Sequence, residues 1–186
     1  MKEPRIVVLD ACVLIPMPLA DTLLRLAAQG LYQPKWSETI MLEVSRTLRE
    51  SFGLSAAKAQ YRKKEIRRHF PEAWVEGFDK LIPKMTNHPK DRHVLAAAVR
   101  AKAQIIVTYN GKDFPPASLA PHAITALGPS AFLKALYDKS PSAIIETLHR
   151  QAAAINQSMD YLLSRLRINA PVFVERIENE MGGKQS

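Results

Sequence analysis

The stretch Ile6-Val7-Val8-Leu9-Asp10 decides the fold. Four apolar residues, three of them β-branched, run without polar alternation and stop at an acid, the signature of a short strand covered on both faces, as strands of parallel sheets are. Working outward, Leu19, Leu23, Leu24, Leu26 and Ala27 fall at helical spacing over residues 17 to 29, and Gly30 is a natural stop. A buried strand feeding a helix opens an α/β fold. Tyr32 to Trp36 reads as a second strand, and Ser37 is placed to cap a helix that buries Ile40, Met41, Val44 and Leu48 and carries Glu43. Residues 55 to 69 form a strongly basic helix, and Glu72 to Leu81 continues as another after Pro71.

Asn87-His88-Pro89-Lys90 is turn-like and leads into a helix from Asp91 to Lys102; Ile105-Ile106-Val107-Thr108 then repeats the buried-strand signature. A loop from Tyr109 to Pro116 and a short strand from Ala123 to Leu127 complete a modest sheet. Beyond Gly128 no strand pattern remains. Ile144, Leu148, Ala152, Ile155, Met159, Leu162 and Leu166 step by threes and fours, which predicts one long amphipathic helix, broken at Asn169-Ala170-Pro171 and followed by a last helix over Val172 to Met181 and a frayed Gly-Gly tail. The expected organisation is an α/β domain over residues 1–128 and a helical extension over 129–186.

Composition narrows the function. Hydrophobic residues at 47% and charged ones at 24% are ordinary for a globular protein and exclude a disordered chain. The single cysteine, Cys12, rules out an internal disulfide and a cysteine-based zinc site, and reads as a structural residue. The apolar run ends at Asp10, too soon for a signal peptide, and nothing later is long enough to span a membrane, so the expected location is the cytoplasm. Lys and Arg exceed Asp and Glu by 26 to 18, giving +8, which suits a polyanionic partner.

The acids carry the chemistry. Asp10 ends a buried strand, Asp91 starts a helix and Asp113 follows the second buried strand, and the strand C-terminal edge of an open α/β sheet is where ligands bind. Carboxylates gathered there repel one another unless cations neutralise them, and oxygen-only ligands at a hydrated site suit Mg²⁺ or Mn²⁺. Such a metal lowers the pKa of a bound water and stabilises the leaving oxygen of a phosphodiester. Against this stand plainer readings: Asp10 as a cap, Glu43 as a solvated helix acid like Glu38, Asp91 as an N-cap, Asp113 as a turn starter. His93, beside a helix start, reads as a surface residue.

Four elements in order resemble the PIN-domain family: Val7-Val8-Leu9-Asp10-Ala11-Cys12-Val13-Leu14, Glu43 in the next helix, Asp91 opening Asp-Arg-His-Val-Leu-Ala-Ala-Ala, and Thr108-Tyr109-Asn110-Gly111-Lys112-Asp113-Phe114-Pro115. The resemblance implies a three-layer α/β/α sandwich with a central parallel sheet. Its catalytic, metal-holding acids would be Asp10, Glu43, Asp91 and a fourth residue. At that fourth place the family often has Thr-x-Asp with another aspartate three positions on; here Asn110 comes first and Asp113 second, and either one fits. Thr108 would orient a ligating carboxylate from behind.

The implied activity is Mg²⁺- or Mn²⁺-dependent endoribonuclease action on RNA, as in toxins of the VapC-like type, with a small antitoxin as partner. Arg62, Lys63, Lys64, Arg67 and Arg68, with Arg92 and Lys112 near the acids, are the candidate RNA-backbone contacts, although a basic run on a helix is often only a solvated face. The helical extension resembles those of some PIN toxins and would serve a homodimer, an antitoxin or the domain's own core. Two other readings stand: a housekeeping RNA-processing nuclease, and a degenerate scaffold that binds RNA or a partner without cutting. A phosphatase needing a second aspartate two residues after the first is disfavoured by Cys12. Because clustered acids repel, Asp10→Asn is expected to leave the metal-free fold unharmed or slightly stabilised.

Overall fold

A computed structural model describes residues 4–182. The architecture is of the three-layer α/β/α class around an all-parallel five-stranded sheet. In chain order the elements are β1 (Ile6–Leu9), α1 (Ala11–Leu14), α2 (Met17–Ala28), β2 (Gln33–Ser37), α3 (Glu38–Glu50), α4 (Ala56–His69), β3 (Trp74–Val75), α5 (Arg92–Arg100), β4 (Ile105–Val107), α6 (Pro116–Leu119) and β5 (Thr125–Leu127). Four helices follow: α7 (Pro129–Tyr137), α8 (Pro141–Ala154), α9 (Met159–Arg167) and α10 (Pro171–Gly182). Of the Gly-Gly tail expected after Met181, Gly182 belongs to α10 and the rest, from residue 183 on, lies outside the described residues.

The sheet runs β3-β2-β1-β4-β5. Chain order therefore steps one way from β1 to β3 and the other way from β4 to β5, and the reversal falls between β1 and β4. Val7, Val8 and Leu9 of β1 pair with Ile105, Ile106 and Val107 of β4, and all six are buried, as the unalternated apolar runs require. At such a reversal the loops leaving the two strands diverge to opposite faces and open a crevice at their C-terminal ends. β1 leaves through Asp10 and β4 through Thr108, so both residues border that crevice.

By backbone contacts the described residues up to Ile15, with Tyr32–Leu127, form one compact unit, and Pro16–Leu31 groups with the residues from Gly128 on in a second. Within the second unit α2 is tied to α8 by a polar network: the Thr22 hydroxyl bonds Gln151 Oε1 at 2.7 Å, and Gln151 Nε2 donates to the Pro18 carbonyl at 3.0 Å. Both Thr22 and Gln151 are buried, so these bonds replace the water that the groups would otherwise lack.

The structure corrects two expectations. Glu72 to Leu81 is not a helix. Pro71–Ala73 makes one tight turn, Trp74 and Val75 then pair with Trp36 and Ser37 as the edge strand β3, and Gly77 turns at φ +72° before a second tight helical segment at Asp79–Lys84. The Trp36 ring, fully buried, meets the Trp74 ring edge-on at 6.3 Å, a contact that a helix through residue 74 would forgo. Nor is there one helix over 144 to 166. The chain breaks between α8 and α9, where Asn156 adopts the left-handed conformation at φ +52° and the Ser158 hydroxyl caps α9 by accepting from Tyr161 N at 3.1 Å.

Candidate metal centre

Asp10 is the anchor of the site. Its backbone N–H still belongs to the sheet, donating to Val107 O at 3.1 Å, while its side chain turns to cap α1 by accepting from Ala11 N at 2.7 Å. The second carboxylate oxygen accepts from the Thr108 hydroxyl at 2.6 Å and from Cys12 Sγ at 3.3 Å. Thr108 in turn accepts from Asn110 N at 3.0 Å, so one hydroxyl fixes both the acid leaving β1 and the loop leaving β4. Asp10 is only 4% exposed, and three donors compensate for its burial. Cys12 closes the group by accepting from Tyr109 N at 3.3 Å. Burial and then the Asp10 charge push its thiol up to about 12, which keeps it protonated and inert.

Asp91 behaves differently. It occupies the N-cap position of α5 but makes no capping hydrogen bond, and its Oδ2 is buried without a partner among the described residues. The plain reading of Asp91 as a helix cap therefore fails. Burial first, then the Asp10 charge and that of Asp113, hold its carboxyl above the usual carboxylate range, against the opposing pull of Lys90 and His93. A buried, unsatisfied carboxylate facing other acids is an expensive arrangement that a bound cation would relieve.

Asp113 reaches the same place through the turn at Gly111–Asp113, with its N–H bonded to Asn110 O at 2.8 Å. Its carbonyl accepts from His88 N at 3.1 Å, and His88 O accepts from Asp91 N at 2.9 Å, so the backbone laces the three residues together. Ligand atoms of His88, Asp91 and Asp113 all lie within 4.8 Å of one another. Asn110 stands at the head of that turn, and its backbone, through the bond to Thr108, sets the turn's position.

Glu43 lies on α3, one step off the stripe of Ile40, Val44 and Leu48 that is buried, and its carboxylate is half-buried. It stands 3.4 Å from His93 Nε2. His93 is not the surface residue expected: its side chain is 11% exposed. Burial works against its charged form, but the Glu43 carboxylate, the Asp10 charge and the Lys90 carbonyl outweigh it and raise the imidazole above its ordinary value. The residues present therefore fit a hard divalent cation: several carboxylates, one of them with a buried oxygen in want of a partner.

His88 escaped the sequence reading because Asn87-His88-Pro89-Lys90 shows only a turn; what brings it to the acids is the return of the β4 loop, invisible locally. The basic positions divide. Arg62 Nη2 donates to Leu14 O at 2.7 Å, Lys63 and Arg67 both pair with Glu38, and Arg68 pairs with Glu65 at 2.7 Å. Arg67 also lies 3.7 Å over the Trp74 ring. Lys64 is exposed and makes no ion pair among the described residues. Arg92 donates to Asn87 O at 3.3 Å, and Lys112 is exposed next to Asp113. A concavity at the opposite edge of the sheet, lined by Arg5, Gln33, Gln104 and Thr125, contains no acid, so the chemistry points to the strand C-termini instead.

Fold and site together define a class: a parallel α/β domain with acids gathered where the strand order reverses. A family model described as PIN domain matches residues 6–112, and the chain belongs to the PIN-domain family. It is 50% identical over 76 residues to the Putative ribonuclease VapC50 of Mycobacterium tuberculosis, a match covering 39% of this chain and 45% of that protein. The chain thus spans less than half the length of this relative. No solved structure matches it. No helix among the described residues is long and apolar enough to cross a membrane.

Proposed function

We propose that this protein is a metal-dependent endoribonuclease, the toxin of a VapBC-like toxin–antitoxin pair acting in the cytoplasm. The observation that carries the reading is the buried, unpartnered Asp91 oxygen beside Asp10 and Asp113 at the sheet's reversal point, in a chain of the PIN family that resembles a protein named as a ribonuclease. Asp10, Glu43, Asp91 and Asp113 would hold Mg²⁺ or Mn²⁺, with Asn110 as the alternative at the fourth place; the nearness of an Asp113 carboxylate oxygen to ligand atoms of Asp91 and His88 supports Asp113 there. When bound, the ion supplies a water of lowered pKa and offsets the charge developing on the phosphodiester oxygens.

The chain's own residues do the rest. Thr108 and Ala11 N hold the Asp10 carboxylate in one orientation, which keeps a ligating oxygen fixed. Lys112 and Arg92, flanking Asp113 and Asp91 in sequence, would meet the phosphates on either side of the cut. Among the five candidate positions on the basic helix, Lys64 is the one with no ion pair or side-chain hydrogen bond among the described residues, since Arg62, Lys63, Arg67 and Arg68 are engaged within the protein and would have to exchange partners to grip RNA. Residues 1–128 would be the nuclease part and 129–186 an extension, with α2, although inside the first range, grouping with the extension's helices; the extension would serve an antitoxin or a second copy of the chain.

The test is cleavage of mixed cellular RNA by refolded protein, freed of any bound partner, in Mn²⁺, Mg²⁺ or EDTA, with cut ends mapped by sequencing. Metal-dependent cuts at few sites, absent from Asp10→Asn, support the nuclease. RNA binding that is equal with and without metal, and no cutting, would make it a scaffold.

A further inference from the structure

We propose that His88 supplies an imidazole nitrogen to the cation held by Asp91 and Asp113, so that the centre prefers Mn²⁺, or a similarly borderline transition-metal dication, over Mg²⁺. This rests on the metal-site reading above and goes beyond it in naming a nitrogen ligand and the ion it selects. Three observations support it. One ring nitrogen of His88 and one oxygen each of Asp91 and Asp113 lie within 4.8 Å of one another, a spacing that one ion can bridge. The Asp91 oxygen left without a partner is on a residue only 4% exposed, so the cluster contains a buried lone pair waiting for a ligand. The backbone bonds His88 N to Asp113 O and Asp91 N to His88 O hold the three residues together without using any of the donor atoms on their side chains.

The chemistry sets the preference. Mg²⁺ favours oxygen ligands and retains its water shell, whereas imidazole is a good ligand for first-row transition dications, whose affinities for a mixed nitrogen and oxygen site rise along the series from Mn²⁺. A purely carboxylate centre discriminates weakly between Mg²⁺ and Mn²⁺; one nitrogen tilts it. His88 is exposed, with Pro89 fixing the turn behind it, so the imidazole is reachable by an ion entering from solvent and its replacement leaves the core untouched.

The experiment uses full-length metal-free protein and Mn²⁺ alone as probe. Free Mn²⁺ is followed by electron paramagnetic resonance during titration, Mg²⁺ is added as competitor, and bound Mn²⁺ is examined for nitrogen coupling by electron spin-echo modulation. Wild type should show a directly bound nitrogen. His88→Ala should lose that coupling and bind Mn²⁺ about tenfold more weakly or worse, while Mg²⁺ affinity changes by less than about threefold. Nitrogen coupling that persists in His88→Ala, or equal losses for both ions, overturns the assignment of His88. Asp91→Asn separates the two levels: if it binds both ions as wild type does, the metal-site reading itself fails, whereas loss of both ions with an unchanged Mn²⁺ to Mg²⁺ ratio in His88→Ala refutes only the nitrogen ligand. Far-ultraviolet circular dichroism of each variant confirms the fold.

Discussion

Thr108→Val tests how the Asp10 carboxylate is held. Valine matches threonine in shape and removes the hydroxyl that donates to Asp10 Oδ2 at 2.6 Å and accepts from Asn110 N at 3.0 Å. A hydrogen bond to a charged acceptor contributes about 1.5–3 kcal/mol, and both Thr108 and Asp10 are almost fully buried, so water cannot replace the lost donor. Thr108→Val should therefore destabilise the metal-free protein by about 2–3 kcal/mol, which at about 2–4 °C per kcal/mol for a chain of this size lowers Tm by about 4–12 °C. Charge is the decisive part. In an Asp10→Asn background the same bond joins two neutral groups and contributes only about 0.5–1.5 kcal/mol, so the cost of Thr108→Val should fall by about 1 kcal/mol. The four proteins of the cycle are unfolded by urea in EDTA and followed by circular dichroism. Additivity to within about 0.3 kcal/mol would refute the claim that the hydroxyl serves an ionised Asp10.

Three further outcomes follow from the same geometry. Because burial and the Asp10 and Asp113 charges raise the Asp91 carboxyl in the folded state, native protein binds that proton more tightly than unfolded chain; metal-free stability should fall as pH rises from the ordinary carboxylate value of about 4 through the raised folded value, and Asp91→Asn should remove that slope and be the more stable protein at neutral pH, as urea titrations at several pH values would register. Added Mn²⁺ at about one hundred times its Kd should stabilise wild type by about 2.7 kcal/mol, read as a rise in Tm, with Asp91→Asn gaining little. Ser158→Ala should cost about 1 kcal/mol by removing the α9 cap, whereas in one continuous helix alanine would be the better residue and the change would stabilise, so the sign of the Tm shift decides between the two.

What was legible in the sequence is what depends on neighbours along the chain. The apolar runs ending at Asp10 and Thr108 are strands covered on both faces; Ser37 caps a helix as its position suggested, accepting from Ile40 N, while Ser55, read as the first residue of the basic helix, is instead its cap, accepting from Lys58 N. The failures share a physical cause. Trp74 and Val75 form a strand only because β2 offers Trp36 and Ser37 to pair with, and a two-residue strand leaves no period to read. The long helix failed for the opposite reason: Ala152, Ile155 and Met159 keep three-and-four spacing across a break, so periodicity survives a turn that Asn156 and Ser158 announce only through their chemistry.

The same distinction separates the two kinds of site residue. Asp10 could be singled out because an acid ending a buried strand violates a local rule, and the structure shows how that violation is compensated, with Ala11 N, the Thr108 hydroxyl and the Cys12 thiol as donors. From that compensation we expect the opposite outcome for Asp10→Asn, since a carboxylate with three donors loses by neutralisation, and expect the relief of repulsion at Asp91 instead, whose Oδ2 has no partner among the described residues. His88 violates nothing locally. It sits in a Pro-containing turn like any exposed histidine, and only the Asp113 carbonyl, carried in from the far side of β4, fixes it beside the acids. Residues that break a local rule can be found from sequence, while residues placed by a long-range backbone bond need the fold; a centre built from both kinds keeps part of its ligand set hidden until the two strands at the reversal point are seen side by side.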